Sequence, residues 1–215
     1  MKISDSVRLA IEDWELAKSD QTRLESAMLH ACNALDGTAK KIWPKANNKD
    51  RFTRLIRQSY DFFGPMAMPC IDLENTVFSV PLNSSKKDNK GPDIADIIYS
   101  IHRCSHAHGD ELEEGFSLIE DVKNDIIGQE NSTNIRSDIE GGKVRLSDRT
   151  IFGLLGIAVF SPINKNQSDP KLYNFWLTFD KDMEFHINDW WGKKEEFLKI
   201  ISQVTLPKII LNPSR

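Results

Sequence analysis

The chain has 215 residues, of which 40% are hydrophobic, 9% aromatic and 28% charged, and 28 Lys and Arg stand against 32 Asp and Glu. That length suits one domain with a core of its own, and the composition excludes collagen, coiled-coil and disordered classes. A net charge of −4 provides no general affinity for nucleic acid.

The longest mostly apolar run, Ile151 to Phe160, is about half of what a membrane span needs. The opening Met-Lys-Ile-Ser-Asp-Ser has no apolar leader core. Three widely spaced cysteines, Cys32, Cys70 and Cys104, fit a reducing compartment better than a disulfide framework. The expectation is a cytoplasmic protein with no membrane partner.

Helical periodicity begins at once. Ser4 or Asp5 can cap a first helix whose Val7, Ala10, Ile11, Trp14 and Ala17 recur at helical spacing. A second starts near Asp20, with Leu24, Met28, Ala31, Leu35, Thr38 and Ile42 as its apolar stripe. Gly37 costs that helix about 1 kcal/mol relative to Ala and marks a place to break; Pro44 closes the segment. A third helix is predicted from about Asp50 to Phe63, with Gly64-Pro65 as its stop. Thr76 to Val80 reads as a short strand, and Asn83 to Gly91 as a polar loop. Pro92 then opens a fourth helix from its first turn. Its stripe is Ile94, Ile97, Ile98, Ile101, Ser105 and His108, and Gly109 is the cap.

Beyond it, Phe116 to Asp121 reads as a strand and Asn131 to Gly142 as a loop. Lys143 to Leu146 alternates like a strand, and Ser147 or Asp148 caps an apolar helix running through Phe160. Leu172 to Phe179 and Glu184 to Ile187 form a hairpin pattern around Asp180-Lys181-Asp182. Asn188 or Asp189 caps a last helix with Trp190, Phe197, Leu198 and Ile201 inward. The fold class is therefore mainly α (α+β), a bundle of about six helices with a small antiparallel β elaboration. One domain is expected over residues 1–215, with the helical core in 1–112 and the strands and helices of 113–215 packed on it.

Charge is unevenly placed. From Thr38 to Gln58, seven bases (Lys40, Lys41, Lys45, Lys49, Arg51, Arg54, Arg57) meet Asp50 alone, a local balance of +6. From Asp110 to Glu130 eight acids meet Lys123 alone, a balance of −7. Each can be a solvated face. The basic segment can equally run along phosphates, with Lys40, Lys41, Arg51, Arg54 and Arg57 as the RNA contacts.

Chemistry concentrates in one segment, Ile101-His102-Arg103-Cys104-Ser105-His106-Ala107-His108-Gly109-Asp110-Glu111, which holds three of the five histidines. Metal-independent RNA cleavage needs groups to move the 2′-hydroxyl proton and to protonate the 5′-leaving oxygen. It also needs a cation for the charge growing on phosphorus. Histidine titrates near neutral pH and serves either proton role, and arginine offers phosphate a permanent bidentate fork. Five residues apart on an α-helix, Arg103 and His108 point about 140° apart. A twofold dimer would then bring two such pairs to a shared cleft.

Arg103 followed by His108 at the end of an apolar helix resembles the R-x(4–6)-H signature of the HEPN family, helical-bundle proteins that include ribonucleases of defence and toxin systems. The Leu24 to Pro44 helix resembles the preceding bundle helix of bacterial members. The resemblance covers about the first half of the chain. It implies a dimeric, cofactor-free and metal-independent endoribonuclease of phage defence or a toxin-like stress response. Arg103 and His108 would be the catalytic pair and Ser105, His106, Cys104 and Asp110 supporting residues. RNA is the implied partner, with a regulatory protein of a defence system as a further one. Cys104 stands where many catalytic members carry Asn, Asp or His, and Asp110 where antitoxin-silenced members carry Tyr.

Two other readings stand beside it. One is a noncatalytic HEPN-like module that binds RNA, a nucleotide or a protein. The other is a metal-binding protein, because His102 and His106 lie at i and i+4, a spacing that can chelate zinc. Arg103 could also be an ordinary ion-pair partner of Asp96 or Glu111.

Overall fold

A computed structural model of the chain describes residues 2–17, 19–20, 22–69, 71–78, 91–105, 116–119, 144–172, 176–180 and 183–202. The first two helices follow their periodicity. Helix α1 (Ile3–Leu16) starts one residue before the expected caps, and the Asp5 carboxylate accepts the Lys2 N–H at 3.1 Å. Helix α2 (Thr22–Ile42) buries Leu24, Ala27, Met28, Ala31, Leu35, Thr38 and Ala39. It runs unbroken through Gly37, where a β-carbon would stand 3.2 Å from Ile3 Cγ1. The glycine admits the end of α1 rather than ending α2.

The predicted third helix is two. Helix α3 (Asn48–Arg57), capped by Asn47, is separated from α4 (Tyr60–Ala67) by Gln58 and Ser59. Their apolar residues serve different neighbours. Phe52, Leu55 and Ile56 belong to α3, whereas Phe62, Phe63, Met66 and Ala67 of α4 face helix α6 (Arg149–Phe160). Gly64-Pro65, expected to stop the helix, lies inside α4. An interior proline costs about 3 kcal/mol. Burial of Phe62, Phe63 and Met66, at about 1.5–3 kcal/mol each, outweighs it.

Residues 76–78 carry no strand; the rest of that expected strand, Ser79 and Val80, lies outside the described residues. Asp93 caps the next helix by accepting the Asp96 N–H at 2.9 Å, so Pro92, expected in the first turn, precedes the helix. Among the described residues of this segment, Ile94–Ile97 (α5) winds as an α-helix and Ile98–Ser105 continues it as a π-helix.

Strand β1 (Phe116–Ile119) pairs in parallel with β2 (Val144–Ser147), in register Phe116 to Val144. This corrects the expectation of a purely antiparallel elaboration. Residues 120–143 lie between these strands, more than the dozen or so that a parallel crossover needs. Strands β3 (Trp176–Asp180) and β4 (Met183–His186) form the expected antiparallel hairpin. The last helix again is two, α7 (Ile187–Trp190) and α8 (Lys194–Ile201). Gly192 breaks it at φ +78°, where its N–H donates to Val159 O at 2.8 Å. A β-carbon there would meet Lys165 Cβ at 2.5 Å.

The protein is mainly α, with α2 and α6 at its centre and α1, α4 and the C-terminal helices around them. Phe160 stacks on Phe197 at 4.0 Å, and Phe62 and Trp190 meet both edge-on. Trp191 is buried too, so the Trp pair belongs to the core. Polar ties join the C-terminal third to the first helices: Trp14 Nε1 to Asp148 Oδ2 at 2.7 Å, and Asn164 Nδ2 to Thr38 Oγ1 at 2.9 Å. No helix among the described residues is long and apolar enough to cross a membrane.

The α4–α6 contact depends on Gly153 and Gly156. A β-carbon on Gly153 would stand 2.8 Å from both Ala67 Cβ and the Phe63 ring. The Ala67 methyl moves only with its backbone. Gly153→Ala should therefore cost about 1–3 kcal/mol by overpacking, against the about 1 kcal/mol that Ala gains in helix propensity. A urea titration showing Gly153→Ala more stable than wild type would contradict this packing.

Candidate functional site

The face formed by α2, α3 and the α5–π segment gathers two features that stand far apart in sequence. Ile94, Ile97, Ile98 and Ile101 turn into the core, and His102 joins them with no exposed surface. Arg103 then points out of the core and is 21% exposed. Its winding is π as far as Ser105; His108, expected about 140° from Arg103, lies outside the described residues.

Asp36 of α2 is the junction. Its Oδ2 accepts Arg103 Nη2 at 3.5 Å, and its Oδ1 accepts Arg51 Nε and Nη2 at 3.1 and 3.0 Å. Arg51, 7% exposed, also reaches Ala46 O at 3.4 Å. One carboxylate thus ties the arginine of the R-x(4)-H segment to the basic stretch. Asp36 carries no signal of this in the sequence beyond being an acid on the strip of α2 that holds Lys40 and Trp43.

Asp96 is not the partner of Arg103. It receives Arg57 Nη2 at 2.9 Å and stands 3.9 Å from Lys49 Nζ. Glu111, the other expected partner, lies outside the described residues. Arg57 also donates to both oxygens of Asp93, at 2.6 and 3.0 Å, and the Tyr60 hydroxyl donates to Asp93 at 3.1 Å. Burial opposes ionisation of Asp93, but Arg57, the Asp96 N–H and the Tyr60 hydroxyl together hold its carboxyl below the ordinary range. Burial, followed by the charge of Asp93, pushes Asp96 up. Burial and the neighbouring Asp93 also raise the Tyr60 hydroxyl.

The other predicted site residues divide clearly. Lys41 Nζ donates to Asn164 Oδ1 at 3.1 Å. Lys40 is exposed, and Arg54 lies over the Trp43 ring at 4.6 Å. Cys104 and Ser105 belong to the π-helix by their backbone, their side chains being outside the description, as are His106, His108 and Asp110 altogether. Among the described residues, no group of three His, Cys, Asp or Glu side chains is placed to hold a metal ion. His30 sits part-buried on α2 with Nε2 3.5 Å from Asp13 Oδ2.

The profile of the family described as Rv1289 matches residues 2–215. The chain belongs to the Rv1289 family. Relatives of this Rv1289-family chain include "Uncharacterized protein Rv1289" of Mycobacterium tuberculosis (strain ATCC 25618 / H37Rv) and "Uncharacterized protein Mb1320" of Mycobacterium bovis. Each is 36% identical over 203 residues, covering 94% of this chain and 89% of the relative. No solved structure matches the chain.

The Asp93 cluster predicts an acid limb of stability. A carboxyl held low in the folded state contributes stability fully above its unfolded value, near pH 4. That contribution is lost as pH falls through the folded value. Asp93→Ala removes the α5 cap and the main Arg57 partner. It should cost about 1–2 kcal/mol at pH 7. The difference from wild type should narrow below about pH 4, as read by urea unfolding across pH. A difference that stays constant down to pH 2 would rule out Asp93 as the source.

Proposed function

We propose that this Rv1289-family chain is a metal-independent endoribonuclease of the HEPN type, acting in phage defence or a toxin-like response. The observation that supports the reading is the shared Asp36 carboxylate. It puts Arg103 of the R-x(4)-H segment on the same face as the basic stretch, so a backbone running along that stretch passes Arg103. In this reading His108 takes the 2′-hydroxyl proton and returns one to the 5′-oxygen. The 2′-oxygen forms its bond to phosphorus as the P–O5′ bond breaks, leaving a 2′,3′-cyclic phosphate and a 5′-hydroxyl. Arg103 neutralises the charge that grows on the phosphoryl oxygens.

The same carboxylate favours a second reading in one respect. An arginine with an acidic partner is also what a noncatalytic binding module would hold, and Arg103 has Asp36.

Cleavage of a mixed RNA pool in EDTA separates the two. Wild type should cut. His108→Ala should lose about 10²–10⁴-fold in rate, and Arg103→Ala about 10²–10³-fold, with the fold intact. A pool left whole by wild type, or cut equally by His108→Ala, would return the chain to a binding role. The twofold dimer with a shared cleft belongs to the proposal and has its own check. Light scattering at micromolar concentration should yield twice the chain mass, and a monomer would remove the shared cleft.

A further inference from the structure

The fold sorts the basic stretch into two halves. Arg51, Arg57 and Lys49 are matched by Asp36, Asp93 and Asp96. Lys40, Lys45 and Arg54 are exposed and have no acidic partner among the described residues. Among the described residues, Lys41 donates to a neutral partner, the Asn164 amide oxygen. Between α2 and α3 lies one part-buried aromatic ring, Trp43, with exposed Lys40 three residues before it and exposed Lys45 two residues after it. The Arg54 guanidinium lies over that ring at 4.6 Å.

We propose that Trp43 and Arg54 form a nucleobase-stacking platform, flanked by Lys40 and Lys45, that holds a single-stranded stretch of RNA. A guanidinium laid on an indole keeps its charge and its N–H edge for phosphate, and its outer plane accepts a base by stacking. A duplex keeps its bases paired and stacked inside, so it offers such a platform no face.

The position of the platform fits a continuous strand. The Trp43 N–H donates to Ala39 O at 2.8 Å, so the helical turn of α2 carries through it. Asp36, Lys40 and Trp43 then stand at i, i+4 and i+7, along one strip of the helix. Seven residues of α-helix separate the platform from the Asp36–Arg103 pair by about 10 Å, about three nucleotide steps at a stacked rise of about 3.4 Å. The inference rests on the RNA reading for the identity of the polymer, and it does not need cleavage.

The test uses the full-length protein and a labelled 2′-O-methyl oligoadenylate, which cannot be cut because its nucleophile is blocked. A blunt duplex of the same length is the comparison, with anisotropy read across a salt series. Wild type should prefer the single strand. Trp43→Leu should weaken that binding about five- to 150-fold with an unchanged salt slope, and Trp43→Phe should restore most of it. Lys40→Ala and Lys45→Ala should each flatten the slope of log affinity against log salt by about 0.7, whereas Arg57→Ala should not. The platform is overturned if the duplex binds as tightly as the single strand, or if Trp43→Leu or Trp43→Phe behaves contrary to these expectations while the protein stays folded. It is overturned equally if wild type binds neither. Binding that survives while RNA is never cut would remove the nuclease reading and leave the platform standing.

Discussion

Helix α2 carries two faces whose demands differ, and the rest of the molecule is arranged around that difference. On one side Leu24, Ala27, Met28, Ala31, Leu35, Thr38 and Ala39 are sealed by α1 and α6. Small residues at Ala27, Ala31 and Ala39, with Gly37 beside them, let neighbouring backbones approach closely. On the remaining strip stand Asp36, Lys40 and Trp43. Burial of the first face fixes the direction of the second, so groups arriving from α3 and the π segment meet Asp36 on it.

Asp36 shows why position matters more than charge count. Arg51 is almost fully buried, and removing an arginine from water is costly unless a carboxylate and further hydrogen bonds meet it. Asp36 and the Ala46 carbonyl supply them. Once Asp36 is placed for Arg51, its second oxygen is aimed at Arg103, at the longer distance of 3.5 Å. The Arg103 contact is thus the weaker arm of the junction. The Asp93 and Asp96 cluster does similar work between α3 and α5: it fastens Arg57 at the cost of holding two carboxylates close together.

Departures from the periodic pattern have a common cause. Gly37, Gly64 and Pro65 are local helix breakers, yet all three lie inside helices because the apolar faces on either side are buried against partners. Conversely, the chain breaks between α3 and α4 where no strong breaker stands, because the apolar residues on the two sides must turn to different neighbours. Propensities near 1 kcal/mol yield to burial terms several times larger.

Much of the architecture was therefore legible in the sequence: the mainly α class, the first two helices, β1 and β2 as strands, the apolar helix ending at Phe160, and the β3–β4 hairpin. Spacing also drew attention to Arg103 and to the basic stretch, since both signals are local. The parallel pairing of β1 with β2, the π winding of Ile98–Ser105 and the division of two predicted helices were not legible, because each answers to neighbours distant in the chain. The same holds for the site. That Asp36 would meet Arg103 across 67 residues, that Asp96 would go to Arg57, and that Arg54 would lie over Trp43 were decided only by tertiary packing. A sequence states how many charges a segment carries; which of them remain uncompensated depends on which carboxylates the fold brings within hydrogen-bonding distance.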